Sequence, residues 1–422
     1  MKRNNRFRFA LLLSLILLST ISIVSSWDVT SCRVDPIPIS VRADTYILPP
    51  PRQFSPFAYD SESDMIVMYG GLNWEAADPF TDHHNDTWAY DGNQNVWQEM
   101  NPAISPPRRG GPSLAYDNDT DRVILYGGLN TGAAETSVQW NDTWAYDYNN
   151  DEWTNRMPDV GPPRTAIAAM VYDSESEVII MFGGGLDGFN FSDQTWAYDY
   201  NENNWTQMHP SSSPSKRVAQ MAYDEESDKV ILSGGAGRAG DSGPMITYTD
   251  TWSYDYNTDT WTEMNPVEHP VSIGVLTYDV ESDKIIMFGG SMTWYARQSD
   301  LVTETWTYDY NTNTWVEKSP SPEPQGRFAA AMSYDSESDR TVLYSGGWYE
   351  AEPYFNSTQD CWAYNCDLNT WERIHPPITP TTTTTTTTNG VNNPIPFELI
   401  LIAVGGFMVV IVVAVLVRRF ID

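Results

Sequence analysis

Cationic charge is scarce in this chain. Its 422 residues carry 56 Asp and Glu against 24 Lys and Arg, a formal charge of −32, and only five of the basic residues are lysines. Neutralising phosphates needs a basic face, so a nucleic-acid partner is excluded. Electrostatic binding to an anionic surface is disfavoured for the same reason. Histidine, with five residues, and cysteine, with three, are nearly as rare, which gives a metal site little support. Helical apolar periodicity is missing from every segment outside the termini. Aromatic residues are not scarce: at 13% they exclude disorder for the body of the chain.

Long hydrophobic runs occur only at the two ends. Lys2, Arg3, Arg6 and Arg8 precede an apolar stretch from Phe9 to Leu18, and Val24 and Ser26 suit cleavage before Trp27. That pattern predicts a signal peptide over 1–26. Residues 397–417 form an apolar run closed by Arg418 and Arg419, predicting one transmembrane helix with a short cytoplasmic tail at 418–422. Between the globular part and this run, 376–396 is rich in Thr and Pro, as expected of an extended, often O-glycosylated stalk. The implied location is the cell membrane, single-pass, with the N-terminal domain outside.

What fills 51–375 is a cadence. Glycine pairs at Gly70–Gly71, Gly127–Gly128, Gly183–Gly184, Gly234–Gly235, Gly289–Gly290 and Gly346–Gly347 are spaced by 57, 56, 51, 55 and 57 residues. After each comes a segment such as Asp142-Thr-Trp-Ala-Tyr146, carrying Trp88, Trp144, Trp196, Trp252, Trp306 or Trp362. Nine positions on stands a second tryptophan: Trp97, Trp153, Trp205, Trp261, Trp315 and Trp371. A period near 50 signals a repeat architecture. Within each unit, four short runs rich in Val, Ile, Tyr and Trp are bounded by Gly, Asn, Asp or Pro, which predicts four antiparallel strands. One such sheet cannot cover its own faces, so successive sheets must pack on one another, and radial closure removes the open ends.

The Gly-Gly pair closing the second strand, the Tyr in the third and the Trp opening the fourth resemble the kelch repeat. The fold expected is all-β: a six-bladed kelch-type propeller of four-stranded antiparallel blades, plus the C-terminal transmembrane helix. The glycines suit close backbone approach and the tryptophans suit the wedge between blades, so both sets are expected to be structural. The last unit reads Tyr344-Ser345-Gly346-Gly347, one residue longer than its siblings, which predicts a bulge in its second strand. The lead-in at 27–50 is a candidate ring-closing strand, with 44–50 resembling the end of a fourth strand.

In kelch propellers the loops between second and third strands, with those leading into each first strand, make one binding face. Arginines stand near the first-strand starts: Arg52, Arg108 and Arg109, Arg164, Arg217 and Arg327, with Val271-Ser272 breaking the series. Among kelch propellers, arginines at similar places grip acidic peptides, and guanidinium forks suit carboxylates. In so acidic a chain they equally suit neutralising neighbouring Asp and Glu. The variable loops add Trp74, Trp294, Tyr295, Arg297, Trp348 and Tyr349, residue types suited to a protein or glycan partner.

Acidic segments such as Asp60-Ser-Glu-Ser-Asp64 and Asp117-Asn-Asp-Thr-Asp121 read as solvated hairpin turns, with Ca²⁺ at them the weaker alternative. Cys32 is expected to pair with Cys361 or Cys366. Sequons lie at Asn85, Asn118, Asn141, Asn190, Asn204 and Asn356. Kelch propellers include sugar oxidases and mutarotases, but no catalytic set can be assigned here and no cofactor is expected. The reading is an extracellular binding or adhesion head for protein or glycan, with a membrane-tethered carbohydrate-active enzyme and a structural envelope component as alternatives.

Overall fold

Every repeat unit folds into one four-stranded antiparallel sheet whose strands lie in chain order. The computed structural model describes residues 47–73, 83–131, 137–186, 190–240, 242–351, 354–375, 402–404 and 407–409. Blade 1 comprises Phe57–Asp60, Met65–Tyr69, Thr87–Asp91 and Val96–Met100. Blade 2 comprises Ser113–Asp117, Arg122–Tyr126, Thr143–Asp147 and Glu152–Asn155. Blade 3 comprises Ala169–Asp173, Val178–Phe182, Thr195–Asp199 and Asn204–Gln207. Blade 4 comprises Arg217–Asp224, Lys229–Arg238, Met245–Asp255 and Thr260–Glu263. Blade 5 comprises Ile273–Asp279, Lys284–Ser291, Thr305–Asp309 and Thr314–Lys318. Blade 6 comprises Ala331–Asp335, Arg340–Tyr344, Cys361–Asn365 and Thr370–His375.

The first strand of each blade contacts the first strands of both neighbours, and blade 6 contacts blade 1, so six first strands enclose a central axis. Second strands are the most deeply buried because they face a neighbouring sheet on either side: Ile66, Val67, Met68 and Tyr69 are all buried, as are Val123 to Tyr126. The fourth-strand tryptophans fill the wedges between blades, buried as the cadence predicts. Truncating one to alanine costs about 3–5 kcal/mol. The glycine pairs of blades 1 to 5 are positive-φ positions, Gly70 at 66° and Gly71 at 98°. A Cβ on Gly70 would lie 2.7 Å from the Arg109 carbonyl oxygen of the next blade, so the close approach between blades requires glycine.

Two sequence expectations need amendment. The last unit has no bulge before its glycines: Ala331–Asp335 pairs with Arg340–Tyr344 in unbroken register. Instead Ser345 (φ 57°) and Gly346 (φ 87°) occupy the two left-handed positions that glycines fill elsewhere, and the motif is displaced by one residue. Residues 47–50 form no strand. They lie where Pro106 and Pro107 lie for the next blade, with Pro49 accepting a hydrogen bond from the Tyr344 hydroxyl at 2.6 Å, as Pro106 does from Tyr69. Among the described residues Cys361 and Cys366 form no disulfide, and they open and follow one extended strand, which holds them too far apart to bond each other; the partner expected for one of them, Cys32, is not among those residues.

Cys32, the signal peptide, the stalk and the tail lie outside the described residues. Of the span at 397–417 only Ile402–Val404 and Phe407–Val409 are described, and they pair as a two-stranded antiparallel ribbon. No helix among the described residues is long and apolar enough to cross a membrane.

Candidate functional site

Two unlike ends terminate the propeller axis. At one end the acidic segments make tight hairpin turns, as their composition predicts. The first Asp of each caps the turn's own amides, for example Asp60 Oδ1 accepting from Ser63 N at 2.9 Å, and the last residue takes a left-handed conformation, Asp64 at φ 56°. Tyrosine hydroxyls then donate to that last carboxylate, Tyr59 to Asp64 at 2.9 Å and Tyr334 to Asp339 at 2.9 Å. Burial raises the carboxyl pKa values of Asp60, Asp117, Asp173, Asp224 and Asp279. A cavity of about 400 Å³ opens among these tyrosines. Among the described residues no His, Cys, Asp or Glu group is placed to hold a metal ion.

The other end joins the first-strand starts to the variable loops. Isolated bridges tie Gln53 to Leu72, Gly110 to Leu129, Ala166 to Gly185 and Phe328 to Gly347. Here the predicted arginine series divides. Arg52, Arg109, Arg217 and Arg327 are buried and turn inward, contrary to a ligand-gripping role. Each makes a two-pronged pair with the aspartate two residues before the third-strand tryptophan: Arg52 with Asp86 at 2.8 and 2.8 Å, and Arg109 with Asp142 at 2.6 and 2.8 Å. Arg217 takes Asp250 at 2.5 and 3.0 Å, and Arg327 takes Asp360 at 2.6 and 3.2 Å. The same guanidinium donates to the carbonyl of the first left-handed residue, such as Gly70 at 2.9 Å. The carboxylate also accepts the indole N–H two residues on, Trp88 for Asp86 at 2.7 Å. Burial alone would raise Asp86, but the Arg52 hydrogen bonds and charge outweigh it and hold the carboxyl below its usual range. These arginines are clamps within a blade.

Blades 3 and 5 lack the clamp on both sides. Thr165 stands where Arg109 would, and its opposite residue is Gln194, which accepts from Trp196 Nε1 at 3.1 Å. Ser272 donates to the Gly289 carbonyl at 2.7 Å, and its opposite residue is Glu304. The series therefore aligns one residue differently from its linear reading. Arg108, Arg164 and Lys216 immediately precede the clamp position in three successive blades, and all three are exposed. That arc is the cationic feature the sequence reading blurred by counting buried and exposed arginines together.

Beside the arc lies an axial cavity of about 160 Å³, walled by Phe54, Ile167, Val218, Ile273, Trp294 and Phe328 among others. Its rim is a collar of hydrogen bonds between blades: Phe54 N to Ala329 O at 3.1 Å, Gly111 N to Phe54 O at 2.9 Å, and Ile167 N to Gly111 O at 2.7 Å. The collar holds Phe54, Ile167 and Ala329 at positive φ, 52°, 57° and 55°. For β-branched Ile167 this is a strained conformation, of the kind retained where a site is built. The side chains that line the cavity are mostly apolar, with Ser55, Ser113 and Gln220 the polar exceptions.

The loop aromatics gather over blades 5 and 6. Trp294 leans across the cavity mouth, edge-on to Phe191 of the blade 3 loop at 6.4 Å and to Phe328 at 6.1 Å. Tyr349 N bonds Ala296 O at 2.9 Å, and Arg297 bridges Tyr349 in parallel, so the two loops form one surface. Tyr295 is 60% exposed and Met292 44%, while Trp348 and Tyr349 are half-buried. Trp74 lies outside the described residues. The sequon asparagines Asn85, Asn118, Asn141, Asn190 and Asn204 are exposed, and Asn356 is half-buried.

The repeat geometry now has relatives to set beside it. Residues 66–278 match the Attractin/LZTR1 beta-propeller family, and residues 176–393 match the KLHDC2/KLHL20/DRC7 Kelch-repeats domain. A flagellar outer-arm dynein alpha chain from Chlamydomonas reinhardtii is 26% identical over 249 residues, which cover 54% of this chain and 5% of that protein. The chain thus spans about a twentieth of that relative's length. Matched over half its length, with six four-stranded blades closing on one axis, the chain belongs to the kelch-repeat β-propeller family.

Proposed function

We propose that this propeller is a protein-binding head, and that its loop end receives an acidic segment of a partner with one apolar side chain seated in the axial cavity. Protein interaction is the general role of kelch propellers. The observation that carries the finer reading is the segregation of charge. Exposed Arg108, Arg164 and Lys216 occupy one position in three consecutive blades beside an apolar cavity, while the ring of acidic turns lies at the opposite end. On a chain of −32 this arrangement orients an acidic partner toward the loop end and repels it from the other. Trp294, Tyr295, Trp348 and Tyr349 supply the rigid aromatic area that anchors protein interfaces.

The head is proposed to stand outside the cell, lifted by the Thr-rich stretch at 376–396 and held by the apolar run at 397–417. Protease shaving of intact cells tests this, since release of a propeller-sized fragment is expected and full protection rejects it. For the binding face, peptides of equal length and opposite charge are titrated against the full chain. The acidic series is expected to bind and the basic series not. Arg108→Glu with Arg164→Glu is expected to weaken acidic-peptide binding at least tenfold with unchanged thermal unfolding. Equal affinity for both series rejects the reading.

A further inference from the structure

Five of the six joints between blades are closed by one repeated hydrogen bond. Trp153 donates its indole N–H to Thr87 at 2.9 Å, Trp205 to Thr143 at 2.9 Å and Trp261 to Thr195 at 3.0 Å. Trp315 donates to Thr251 at 3.0 Å, and Trp371 to Thr305 at 3.0 Å. At the joint between blade 6 and blade 1 the donor is Trp97, and the residue in the threonine position is Cys361. A thiol is a poor acceptor, and among the described residues the buried Trp97 Nε1 has no hydrogen-bond partner.

The ring of Trp97 is set differently as well. It meets Tyr344 at 49°, whereas Trp153, Trp205, Trp261 and Trp371 meet their second-strand aromatic at 65°, 63°, 61° and 64°. A second observation comes from Ser345. A Cβ on Gly183, one of the glycines it replaces, would lie 2.5 Å from the Arg217 carbonyl oxygen of the next blade. Ser345 carries a real Cβ there, and the backbone bond across its joint, Gly346 N to Arg52 O, is 3.3 Å, against 2.9 Å for Gly71 to Arg109 and Gly184 to Arg217. The Ser345 hydroxyl offsets part of this by bonding the Arg52 backbone, accepting from its N–H at 3.1 Å and donating to its carbonyl at 2.6 Å.

Topology isolates this joint. The chain runs directly from the fourth strand of one blade into the first strand of the next at the other five, but no such connection joins blade 6 to blade 1, which among the described residues meet through side chains, the 47–52 segment and the Phe54 N to Ala329 O bond. Among the described residues no strand is shared between them, since every blade draws four strands from contiguous sequence. The joint also cuts the axial cavity, because Phe54 of the blade 1 start and Phe328 of the blade 6 start meet edge-on across it at 5.6 Å.

We propose that the ring opens at the blade 6–blade 1 joint, and that a side chain seated in the axial cavity against Phe54 and Phe328 draws the joint closed. The second clause rests on the binding role proposed for the loop end; the first does not. Opening parts two walls of the cavity without breaking the chain, so a ligand touching both walls favours the closed ring by mass action.

Hydrogen exchange followed by mass spectrometry on the full chain tests both clauses. Segments 57–69 and 331–344 are expected to exchange ahead of the corresponding segments of blades 2 to 5. Cys361→Thr restores the missing acceptor, and Cys361→Ser does so with no added volume. Either is expected to slow exchange at the joint about tenfold, the effect of one buried hydrogen bond. Thr251→Cys is expected to create a second early-opening joint between blades 4 and 5. Uniform exchange around the ring, or a joint unmoved by both Cys361 variants while Thr251→Cys opens its own, overturns the proposal. An acidic peptide with a terminal leucine that binds without slowing exchange at 57–69 rejects the coupling alone. Absence of peptide binding rejects the binding role and leaves the opening to be judged on the exchange pattern.

Discussion

The two ends of the propeller are built from the same repeat and have diverged to different degrees. At the turn end each blade repeats one device, an aspartate capping its turn and, in five of the blades, a tyrosine bonding the turn's last aspartate, as Tyr116 does Asp121 and Tyr223 does Asp228. At the loop end, blade 4 extends its second and third strands into a ribbon from Lys229–Arg238 to Met245–Asp255, blade 5 inserts a short 3-10 turn at Gln298–Asp300, and blades 3 and 5 drop the arginine clamp. Repetition marks what the ring needs from every blade; departure from it marks where something other than the ring sets the residues. The comparison leaves architecture to the turn end and supports the proposal that recognition belongs to the loop end.

The sharpest way to break that division is to cut a clamp, which is an architectural device standing at the recognition end. Arg109→Ala leaves the half-buried Asp142 carboxylate unpaired and frees the Gly127 carbonyl, for an expected loss of about 3–5 kcal/mol. Arg108→Ala, one residue away and exposed, is expected to change stability by less than about 0.5 kcal/mol while weakening acidic-peptide binding. Urea unfolding of the two variants side by side decides it. Similar losses would return both arginines to one role.

Grafting the clamp where it is absent tests the same logic in reverse. Thr165→Arg alone places a buried guanidinium opposite neutral Gln194 and is expected to destabilise blade 3 by about 2–3 kcal/mol. Adding Gln194→Asp supplies the partner and is expected to recover most of that loss in thermal unfolding. A double variant no better than the single one shows that blade 3 lost more than the pair.

That pair also explains what sequence reading could and could not reach. Blade number, strand order, buried tryptophans and close-approach glycines were legible because each recurs in phase through all six repeats. The direction in which an arginine points was not, since it depends on a carboxylate 33 or 34 residues away, as Arg52 on Asp86 and Arg109 on Asp142. A usable signal existed: where Arg gives way to Thr165 or Ser272, the distant Asp gives way to Gln194 or Glu304 in the same blade. Ser345 misled for a related reason. Gly346–Gly347 preserves the sequence motif, but the backbone needs its left-handed pair directly after Tyr344, and that register is visible only once the strands are paired.

Acidity separates the two ends by sign. Burial raises the turn-end carboxyls Asp60, Asp117, Asp173, Asp224 and Asp279, and raises Asp64 to about 6, where Asp335 and Glu337 add to the effect of burial. A raised folded-state value means stability is lost as pH rises through it. The clamp carboxyls Asp86 and Asp360 are held low, and their contribution is lost as pH falls through their folded values. Thermal unfolding is therefore expected to rise as pH drops from 7 toward 5, then fall below about 4, the ordinary carboxyl range. Asp64→Asn is expected to flatten the upper limb near pH 6. A stability maximum at or above pH 7 would show that the turn-end carboxylates are better hydrated than their burial implies.

The smallest effect tests whether the second strands are uniform around the ring. Ile66, Val123, Ile179, Val230 and Ile285 are buried at one position of blades 1 to 5, and Thr341 takes that position in blade 6 with a buried hydroxyl that has no hydrogen-bond partner among the described residues. A hydroxyl buried without a partner costs about 1–3 kcal/mol relative to a methyl in the same space. Thr341→Val is therefore expected to stabilise the chain by about 1 kcal/mol in urea unfolding, with no change at the loop end. Because Thr341 faces blade 5 and Cys361 faces blade 1, the gain should add to that of Cys361→Thr, as effects of separate joints do. A sum well short of additivity would mean that blade 6 moves as one body, and that its two joints loosen together.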